Sequence, residues 1–230
     1  MPELEQDLRR LCAGEPVQYV LGVAEFCGHR FAVGPGVLVP RPETEQLVAE
    51  AVRALREMEP DRAPRVLDLC TGSGCIAWSI AKEVRDAEIV GVDLSEEALR
   101  YARSQFPSYS NSPVFLRADV LDTEQDFPYG PFDLIVSNPP YVLERERALM
   151  RPNVLDWEPA EALFVPDDDP LRFYRAVARW TQRFLRPDGA GLVEINESLG
   201  AETAAVFRDA GFKNVQILLD FARKDRFVRF

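Results

Sequence analysis

Residues 132–141 have the sequence Phe-Asp-Leu-Ile-Val-Ser-Asn-Pro-Pro-Tyr. The apolar run around the β-branched Ile135 and Val136 is typical of a short buried strand. The strand has to end at Pro139 and Pro140, because proline lacks a backbone N–H and its ring fixes φ. Each proline also holds the residue before it in an extended conformation. The stretch therefore predicts a strand with a rigid turn at its carboxyl end.

The turn at residues 138–141 has the chemistry to hold a planar amide or an aromatic amine. The Asn138 side chain and the Pro139 carbonyl oxygen can accept hydrogen bonds from N–H groups, and Asn138 can also donate. Tyr141 can stack against a planar group. The alternative interpretation is a strand that ends in a proline turn with a tyrosine in the core. On the first interpretation Asn138, Pro139, Pro140 and Tyr141 are the predicted catalytic residues.

Composition places the chain among single-domain α/β proteins. The 230 residues are 47% hydrophobic and 28% charged, which is ordinary for a globular domain. No segment approaches the roughly 20 apolar residues of a membrane span, and the polar amino terminus does not have the pattern of a signal peptide. We therefore expect a cytoplasmic protein that does not interact with a membrane.

Charge and reactive side chains exclude several kinds of site. The net charge of −11 argues against binding that depends on neutralising phosphates, so nucleic acid is disfavoured as the direct substrate. Four cysteines without a Cys-x-x-Cys pair and a single histidine, His29, form no credible zinc site. The lone histidine, next to Gly28 in a predicted turn, also removes most histidine-based schemes of catalysis.

Strand and helix patterns alternate along most of the chain. We predict a helix at residues 1–13, a β-hairpin at 25–33 and a helix from Pro42 to about Met58. The predicted strands are 65–70, 88–93, 114–118, 132–138, 190–195 and 214–219, and the predicted helices are 75–85, 95–106, 171–185 and 197–210. Residues 226–230 follow the last strand after a gap that allows only an antiparallel return. Residues 142–170 contain no convincing strand, and their apolar residues predict a packed lid.

These patterns predict three parts of the chain. Residues 1–13 are interpreted as the remnant of an amino-terminal helical region, residues 14–40 as a β-hairpin connector and residues 41–230 as the catalytic domain. Repeated strand–helix units require a mostly parallel sheet that is covered by helices on both faces. The predicted fold class is therefore α/β, with one antiparallel strand.

A second site is predicted at residues 66–77, which form a strand, a turn of small residues and the start of a helix. Gly72 and Gly74 allow a ligand to approach the backbone closely, and a helix amino terminus favours electronegative groups. Ala77 stands where the dinucleotide-binding motif has its third glycine. The glycines alone therefore do not identify one cofactor.

Polar side chains end four successive predicted strands, at Asp68, Asp93, Asp119 and Asn138. Ligands of open α/β sheets bind at this edge. Asp93 can bind ribose hydroxyls, which suits NAD and S-adenosylmethionine equally, and Asp119 can accept from an adenine amino group. Each aspartate taken alone has the alternative role of a helix cap.

The combination of these motifs resembles a known group of enzymes. Asp-x-x-x-Gly-x-Gly at 68–74 and Asn-Pro-Pro-Tyr at 138–141 resemble S-adenosylmethionine-dependent methyltransferases that modify amide or exocyclic amine nitrogens. Three further segments look like the protein-(glutamine-N5) methyltransferases of the HemK/PrmC type: Gly-Glu-Pro-x-Gln-Tyr at 14–19, Pro-Arg-Pro-Glu-Thr-Glu at 40–45 and Glu-Pro-x-x-Ala-Leu at 158–163. The resemblance covers residues 14–230.

The resemblance implies a fold, a cofactor, a substrate and a set of site residues. The fold is the Rossmann-like class I methyltransferase fold, with a seven-stranded sheet, here preceded by a short β-hairpin. The cofactor is S-adenosylmethionine, and the substrate is the glutamine in the Gly-Gly-Gln motif of bacterial peptide-chain release factors. The implied cofactor residues are Asp68, Cys70, Thr71, Gly72, Ser73, Gly74, Asp93, Asp119, Val120 and Asn138. Asn138, Pro139, Pro140 and Tyr141 would hold the glutamine.

The chain departs from the family pattern in three places. Cys70 stands where many members have glycine, and Val-Pro-Asp-Asp-Asp-Pro at 165–170 replaces a glycine-rich turn, which predicts a stiffer lid. The family carries an amino-terminal helical domain that helps to grip the release factor, whereas only 13 residues precede Gly14. We therefore expect either a truncated chain or partner binding by the catalytic domain alone.

Other functions stay open at this point. The same chemistry could act on a glutamine of a ribosomal protein or on adenine N6 in a nucleic acid. An NAD-dependent oxidoreductase leaves the Asn-Pro-Pro-Tyr turn unexplained, and a non-catalytic scaffold leaves both motifs unexplained. For a methyltransferase we expect direct transfer to the amide nitrogen, without a metal, a histidine or a covalent enzyme intermediate.

Overall fold

The computed structural model describes residues 2–58 and 62–230. Its α-helices are α1 (Pro2–Cys12), α2 (Val17–Leu21), α3 (Thr44–Met58), α4 (Cys75–Glu83), α5 (Glu96–Ser104), α6 (Pro152–Leu155), α7 (Arg172–Phe184) and α8 (Gly200–Asp209). Its strands are β1 (Val23–Phe26), β2 (His29–Ala32), β3 (Arg65–Leu69), β4 (Glu88–Asp93), β5 (Val114–Arg117), β6 (Phe132–Ser137), β7 (Val142–Leu143), β8 (Phe164–Val165), β9 (Leu185–Glu194), β10 (Gln216–Leu219) and β11 (Asp225–Arg229). Within these residues, no helix combines the length and apolar character that crossing a bilayer requires.

Seven strands form the central sheet, in the order β10-β11-β9-β6-β3-β4-β5. β3 pairs in parallel with β4 and β6, β4 with β5, and β6 with β9. β11 lies between β10 and β9 and is antiparallel to both. The predicted seven-stranded, mostly parallel sheet with one antiparallel strand is therefore confirmed.

The two faces of the sheet bury separate apolar clusters, because successive side chains of a strand point to opposite faces. Val66, Leu134 and Val136 belong to the cluster that α3, α4 and α5 cover. Leu67 and Ile135 belong to the cluster that α7 and α8 cover. All six residues of β6 are buried, so this strand lies at the centre of the domain and fixes the position of the turn that follows it.

The predicted hairpin is confirmed, and a helix that was not predicted precedes it. β1 and β2 pair in antiparallel fashion across a turn at Cys27 and Gly28, which both have positive φ. α2 has only five residues and ends at Gly22 in the left-handed conformation. A single helical turn is too short to show a periodic pattern, which explains why it was missed. The division of the chain at residues 13 and 40 stays a prediction.

Residues 142–170 differ from the prediction in one respect. The two-residue strands β7 and β8 pair in parallel, and 3₁₀ helices at Glu144–Leu149 and Ala160–Ala162 lie between them. The prediction of no strand was wrong because two residues cannot show an alternating pattern. The segment is packed, as expected: Leu163 is buried, and Trp157 contacts the small cluster around Tyr19 and Val37.

Several element ends also differ from the predicted ones. β9 begins at Leu185 instead of residue 190, directly after α7, because Leu185 pairs with Phe132 at the start of β6. α3 begins at Thr44, so Pro42 lies in the preceding turn. Two predicted helix signals are confirmed: Ser95 accepts from the Ala98 N–H at the start of α5, and Gly211 has a φ of 93° after α8.

Candidate active site

A cavity of about 310 Å³ lies at the carboxyl ends of β3, β4, β5 and β6. Seven of the predicted site residues line it: Cys70, Gly72, Asp93, Asp119, Val120, Asn138 and Pro140. Six others do not: Asp68, Thr71, Ser73, Gly74, Pro139 and Tyr141. The edge of the sheet that the sequence predicts as the binding edge is therefore the edge that carries this cavity.

The turn at residues 70–74 contributes Cys70 and Gly72 to the cavity, and its backbone has an unusual conformation. Cys70, Gly72 and Gly74 all have positive φ, at 60°, 56° and 76°. A Cβ atom on Gly74 would lie 2.9 Å from Cζ of Phe115, whereas a Cβ on Gly72 would meet no atom within 4 Å. Gly74 is therefore required for packing, and Gly72 leaves open space beside the cavity. The left-handed conformation at Cys70 is one that glycine adopts without strain, which fits the glycine of the family pattern.

Asp68 lies behind this turn and holds it to α4. Its Oδ2 accepts hydrogen bonds from the Thr71 hydroxyl, at 2.5 Å, and from the Ala77 N–H, at 3.2 Å. Its Oδ1 is buried and has no hydrogen-bond partner in the part of the chain that the structure describes. Burial raises the pKa of this carboxyl group to about 7, and the two hydrogen bonds only partly offset that increase. Its predicted role in cofactor binding stays a prediction.

Asp93 ends β4 at the cavity wall, and two backbone N–H groups fix its carboxylate. Gly72 donates to Oδ2 at 2.8 Å, and Ser95 donates to Oδ1 at 2.9 Å. Burial raises the pKa of Asp93, while these hydrogen bonds act in the opposite direction. Since each carboxylate oxygen has two lone pairs, the group can still accept from the hydroxyls of a bound ligand.

Asp119 and Val120 form the neighbouring part of the wall, after β5. The Leu121 N–H donates to Oδ1 of Asp119 at 2.9 Å. The carbonyl oxygen of Val120 accepts from the indole N–H of the buried Trp180 at 3.0 Å. The backbone at this position is therefore anchored to α7, and the second carboxylate of the cavity has a fixed orientation.

The turn after β6 places Asn138 and Pro140 at the cavity and the other two predicted residues behind it. Nδ2 of Asn138 donates to Oγ1 of Thr44 at 3.2 Å. Pro139 is buried, and the Tyr141 hydroxyl donates to Oε1 of Glu194 at 2.9 Å. The Tyr141 ring packs against the α7–α8 cluster. The structure therefore brings Asn138 to the cavity, and stacking of Tyr141 against a substrate stays a prediction.

Two residues of this region were missed by the sequence analysis. Glu194 ends β9, is only 1% exposed, and accepts from both Thr44, at 2.7 Å, and Tyr141. Thr44 is the first residue of α3. The signal for Glu194 was present, since it is an acidic residue that ends an apolar strand, as Asp93 is. The polar ends of the first four strands of the sheet were predicted, and the end of the next one, β9, was not.

The opposite wall of the cavity comes from two segments that lie far apart in the sequence, residues 36–38 and 159–162. Glu158 connects them. Its buried side chain accepts from the Val39 N–H at 2.9 Å and from Nη2 of Arg41 at 2.6 Å. The family-like segments at 40–45 and 158–163 are therefore in direct contact beside the cavity.

Comparison with known proteins identifies the family of this site. Residues 66–151 match the family model described as a methyltransferase domain. The release factor glutamine methyltransferase of Bacteroides thetaiotaomicron is 46% identical over 226 residues, which are 98% of this chain and 79% of that protein. The chain belongs to the release factor glutamine methyltransferase family. A second member, from Flavobacterium psychrophilum, is 38% identical over 98% of this chain and 78% of its own length.

The fold of this family member also matches solved structures. The ribosomal protein L11 methylase of Lactobacillus delbrueckii subsp. bulgaricus superposes with a TM-score of 0.55 at 16% identity, over 83% of this chain and 79% of that protein. At this identity the likeness shows the fold alone. The predicted class I methyltransferase fold is confirmed, and so is the prediction of an N-methyltransferase enzyme.

Proposed function

We propose that this methyltransferase uses S-adenosylmethionine to methylate N5 of the glutamine in the Gly-Gly-Gln motif of a bacterial peptide-chain release factor. The observation that carries the proposal is the position of Asn138. Its side-chain amide lies at a cavity whose other walls offer two fixed carboxylates and a glycine turn. Membership of the family supports the choice of a glutamine in a release factor.

The residues around the cavity fit S-adenosylmethionine. Gly72 leaves room for close approach to the backbone. Asp93 and Asp119 line the cavity, where they would accept from the ribose hydroxyls and from the adenine amino group. Oδ1 of Asp68, which has no hydrogen-bond partner among the described residues, lies behind the same turn. When bound, the cofactor supplies a methyl group that is activated by the positive sulfur.

Asn138 and Pro139 would orient the substrate amide. A carboxamide nitrogen is a poor nucleophile because its lone pair is delocalised, so its orientation and environment matter most. The N–H groups of the substrate amide would donate to Oδ1 of Asn138 and to the carbonyl oxygen of Pro139. These two hydrogen bonds hold the nitrogen in place and increase its electron density. These hydrogen bonds become stronger as positive charge develops on the nitrogen, which stabilises the transition state selectively. The methylated nitrogen then loses one proton to water, which gives the neutral N-methyl amide.

The proposal predicts different effects on turnover and on cofactor binding. Asn138→Ala should lower kcat by about 100-fold or more, as removal of one donor or acceptor aimed at developing charge does in other enzymes. It should change the Kd of S-adenosylmethionine much less. Equal losses in kcat and in cofactor affinity would show that Asn138 acts on the cofactor and not on the substrate amide.

The substrate is tested by transfer of labelled methyl groups, with a release factor and duplex DNA offered in parallel. Label on the release factor, and its loss when the Gly-Gly-Gln glutamine is replaced, is the expected result. Label on DNA would overturn the proposed substrate and leave the cofactor and the fold unchanged. Label on the release factor that survives replacement of this glutamine would overturn the proposed residue.

A further inference from the structure

A chain of hydrogen bonds runs from Asn138 into the interior of the protein. Nδ2 of Asn138 donates to Oγ1 of Thr44 at 3.2 Å, and the Thr44 hydroxyl donates to Oε2 of Glu194 at 2.7 Å. The Tyr141 hydroxyl donates to the other oxygen, Oε1, at 2.9 Å. Glu194 and Thr44 are 1% and 2% exposed, and neither lines the cavity. Thr44 therefore contacts Asn138 from behind and Glu194 contacts Thr44, whereas neither residue lies where a ligand in the cavity could touch it.

In its ionised form, Glu194 fixes the direction of both hydrogen bonds between it and Asn138. An ionised carboxylate can only accept, so it takes the single proton of the Thr44 hydroxyl. The hydroxyl oxygen can then only accept from Asn138, and the group of Asn138 that donates is its NH₂. The carbonyl oxygen Oδ1, in the same plane but on the other side of Cγ, takes no part in this hydrogen bond and can accept from a ligand.

We propose that Glu194 is a positioning residue that acts through Thr44 to hold the Asn138 amide with Oδ1 directed at the substrate. The inference rests on the proposed function, in which Oδ1 accepts an N–H of the substrate amide. In the reverse orientation Asn138 would present its NH₂ group to the substrate NH₂. Two donors would then face each other, and the substrate nitrogen would lose its orienting hydrogen bond.

The position of Glu194 in the fold supports a role beyond stability. A buried carboxylate is costly, and burial raises the pKa of Glu194 although Thr44, Tyr141 and Arg226 act in the opposite direction. The charged and titratable groups that face it are Glu43 from the segment before α3, Tyr141 from the turn after β6, Tyr174 from α7 and Arg226 from β11. An apolar residue here would avoid that cost but would leave the hydroxyls of Thr44 and Tyr141 without their acceptor.

The first test removes the relay between Glu194 and Asn138. Thr44→Val should lower kcat by about tenfold with little change in the Kd of the cofactor, because the Asn138 amide is then free to rotate. Thr44→Ser keeps the hydroxyl and should restore most of the turnover. Thr203→Val is the matched control: Thr203 is fully buried, and its hydroxyl has no partner among the described residues. This control should retain the wild-type kcat.

The second test removes the fixed direction of the hydrogen bond between Thr44 and Glu194. In Glu194→Gln the side chain can donate to Thr44 from its NH₂ group, so the hydroxyl can turn and donate to Oδ1 of Asn138. We expect a kcat about tenfold lower. The wild type should lose kcat as the pH falls through the pKa of Glu194, which burial raises, so this acidic limb should lie above the pH at which an exposed glutamate titrates, about 4.3. The limb should be absent in Glu194→Gln.

The outcomes separate this inference from the proposed function. If Asn138→Ala retains turnover, the role of Asn138 itself is wrong. If Asn138→Ala is inactive but Thr44→Val and Glu194→Gln keep the wild-type kcat, the positioning role is wrong and the proposed function stands. If one of these variants does not fold, the pH dependence of the wild-type kcat tests the inference instead. The absence of an acidic limb in that profile would also overturn it.

Discussion

Replacement of Asp68 by asparagine should stabilise the cofactor-free protein at neutral and higher pH. Asp68 is fully buried, and one of its oxygens has no hydrogen-bond partner among the described residues. Burial raises its pKa from 3.8 to about 7. The amide of Asp68→Asn keeps an oxygen that can accept from Thr71 and Ala77, and it removes the buried charge. Its NH₂ group takes the place of Oδ1, which has no partner among the described residues, at a cost of about 1–3 kcal/mol that is smaller than the cost of the charge.

The magnitude follows from the two pKa values. Between pH 3.8 and about 7 the folded protein keeps a proton on Asp68 that the unfolded chain has lost, so stability is full below this range and falls as the pH rises through it. The pKa values differ by about three units, from 3.8 to about 7. At roughly 1.4 kcal/mol for each unit, the ionised carboxylate costs on the order of 4 kcal/mol at pH values above 7.

Urea denaturation of both proteins, at about pH 5 and about pH 8, measures this cost. The free energy of unfolding should favour Asp68→Asn, and the advantage should grow between the two pH values. An advantage that is independent of pH would refute the reasoning, since Asp68 would then titrate as an ordinary carboxyl group. The experiment therefore tests the raised pKa and not only the packing of asparagine.

Asp133→Asn provides a control in which the expected change in the free energy of unfolding has the opposite sign. Burial alone would raise the pKa of Asp133, but the side chain of Arg62, the N–H of Arg65 and the charge of Arg186 outweigh burial and lower it. The ionised carboxylate therefore stabilises the fold above the ordinary pKa, and this stability is lost as the pH falls through the lowered value. We expect Asp133→Asn to be destabilised, and more so at about pH 8 than at acidic pH.

Three further predictions concern the cavity. Asp93→Ala removes the acceptor of two backbone N–H groups and should weaken cofactor binding about tenfold or more, whereas an unchanged calorimetric Kd would contradict its role. Gly74→Ala places a Cβ atom 2.9 Å from Phe115, at a residue whose backbone is left-handed. It should lower the free energy of unfolding by about 1–3 kcal/mol, and an unchanged stability would contradict the requirement for glycine at this position. Glu158→Ala leaves the Val39 N–H without its acceptor and should speed hydrogen exchange at that amide; unchanged protection would show that water replaces the carboxylate.

Much of the fold could be predicted because its signals are local. The apolar core of β6 and the prolines after it mark a buried strand and its end within ten residues. Gly74 and Gly211 mark places where a positive φ is needed, and Ser95 caps the helix that follows it. The parallel sheet follows from the alternation of such units, since parallel strands require crossover connections.

The elements that were missed depend on partners elsewhere in the chain. β7 and β8 have two residues each and exist because they pair with each other across 20 intervening residues. β9 begins five residues earlier than predicted because its first residue pairs with β6. The local sequence pattern of these residues predicts neither which strands pair nor the register of the pairs.

The same division applies to the active site. The sequence by itself determined the glycine turn, the acidic ends of β4 and β5, and the Asn-Pro-Pro-Tyr turn, because each is a short motif with its own backbone requirement. Only the tertiary structure decided what surrounds them. Glu194 and Thr44 are 150 positions apart, and Thr44 and Asn138 are 94 apart. Burial is what couples them: a carboxylate that is withdrawn from water has to find its donors within the fold, wherever in the chain they come from.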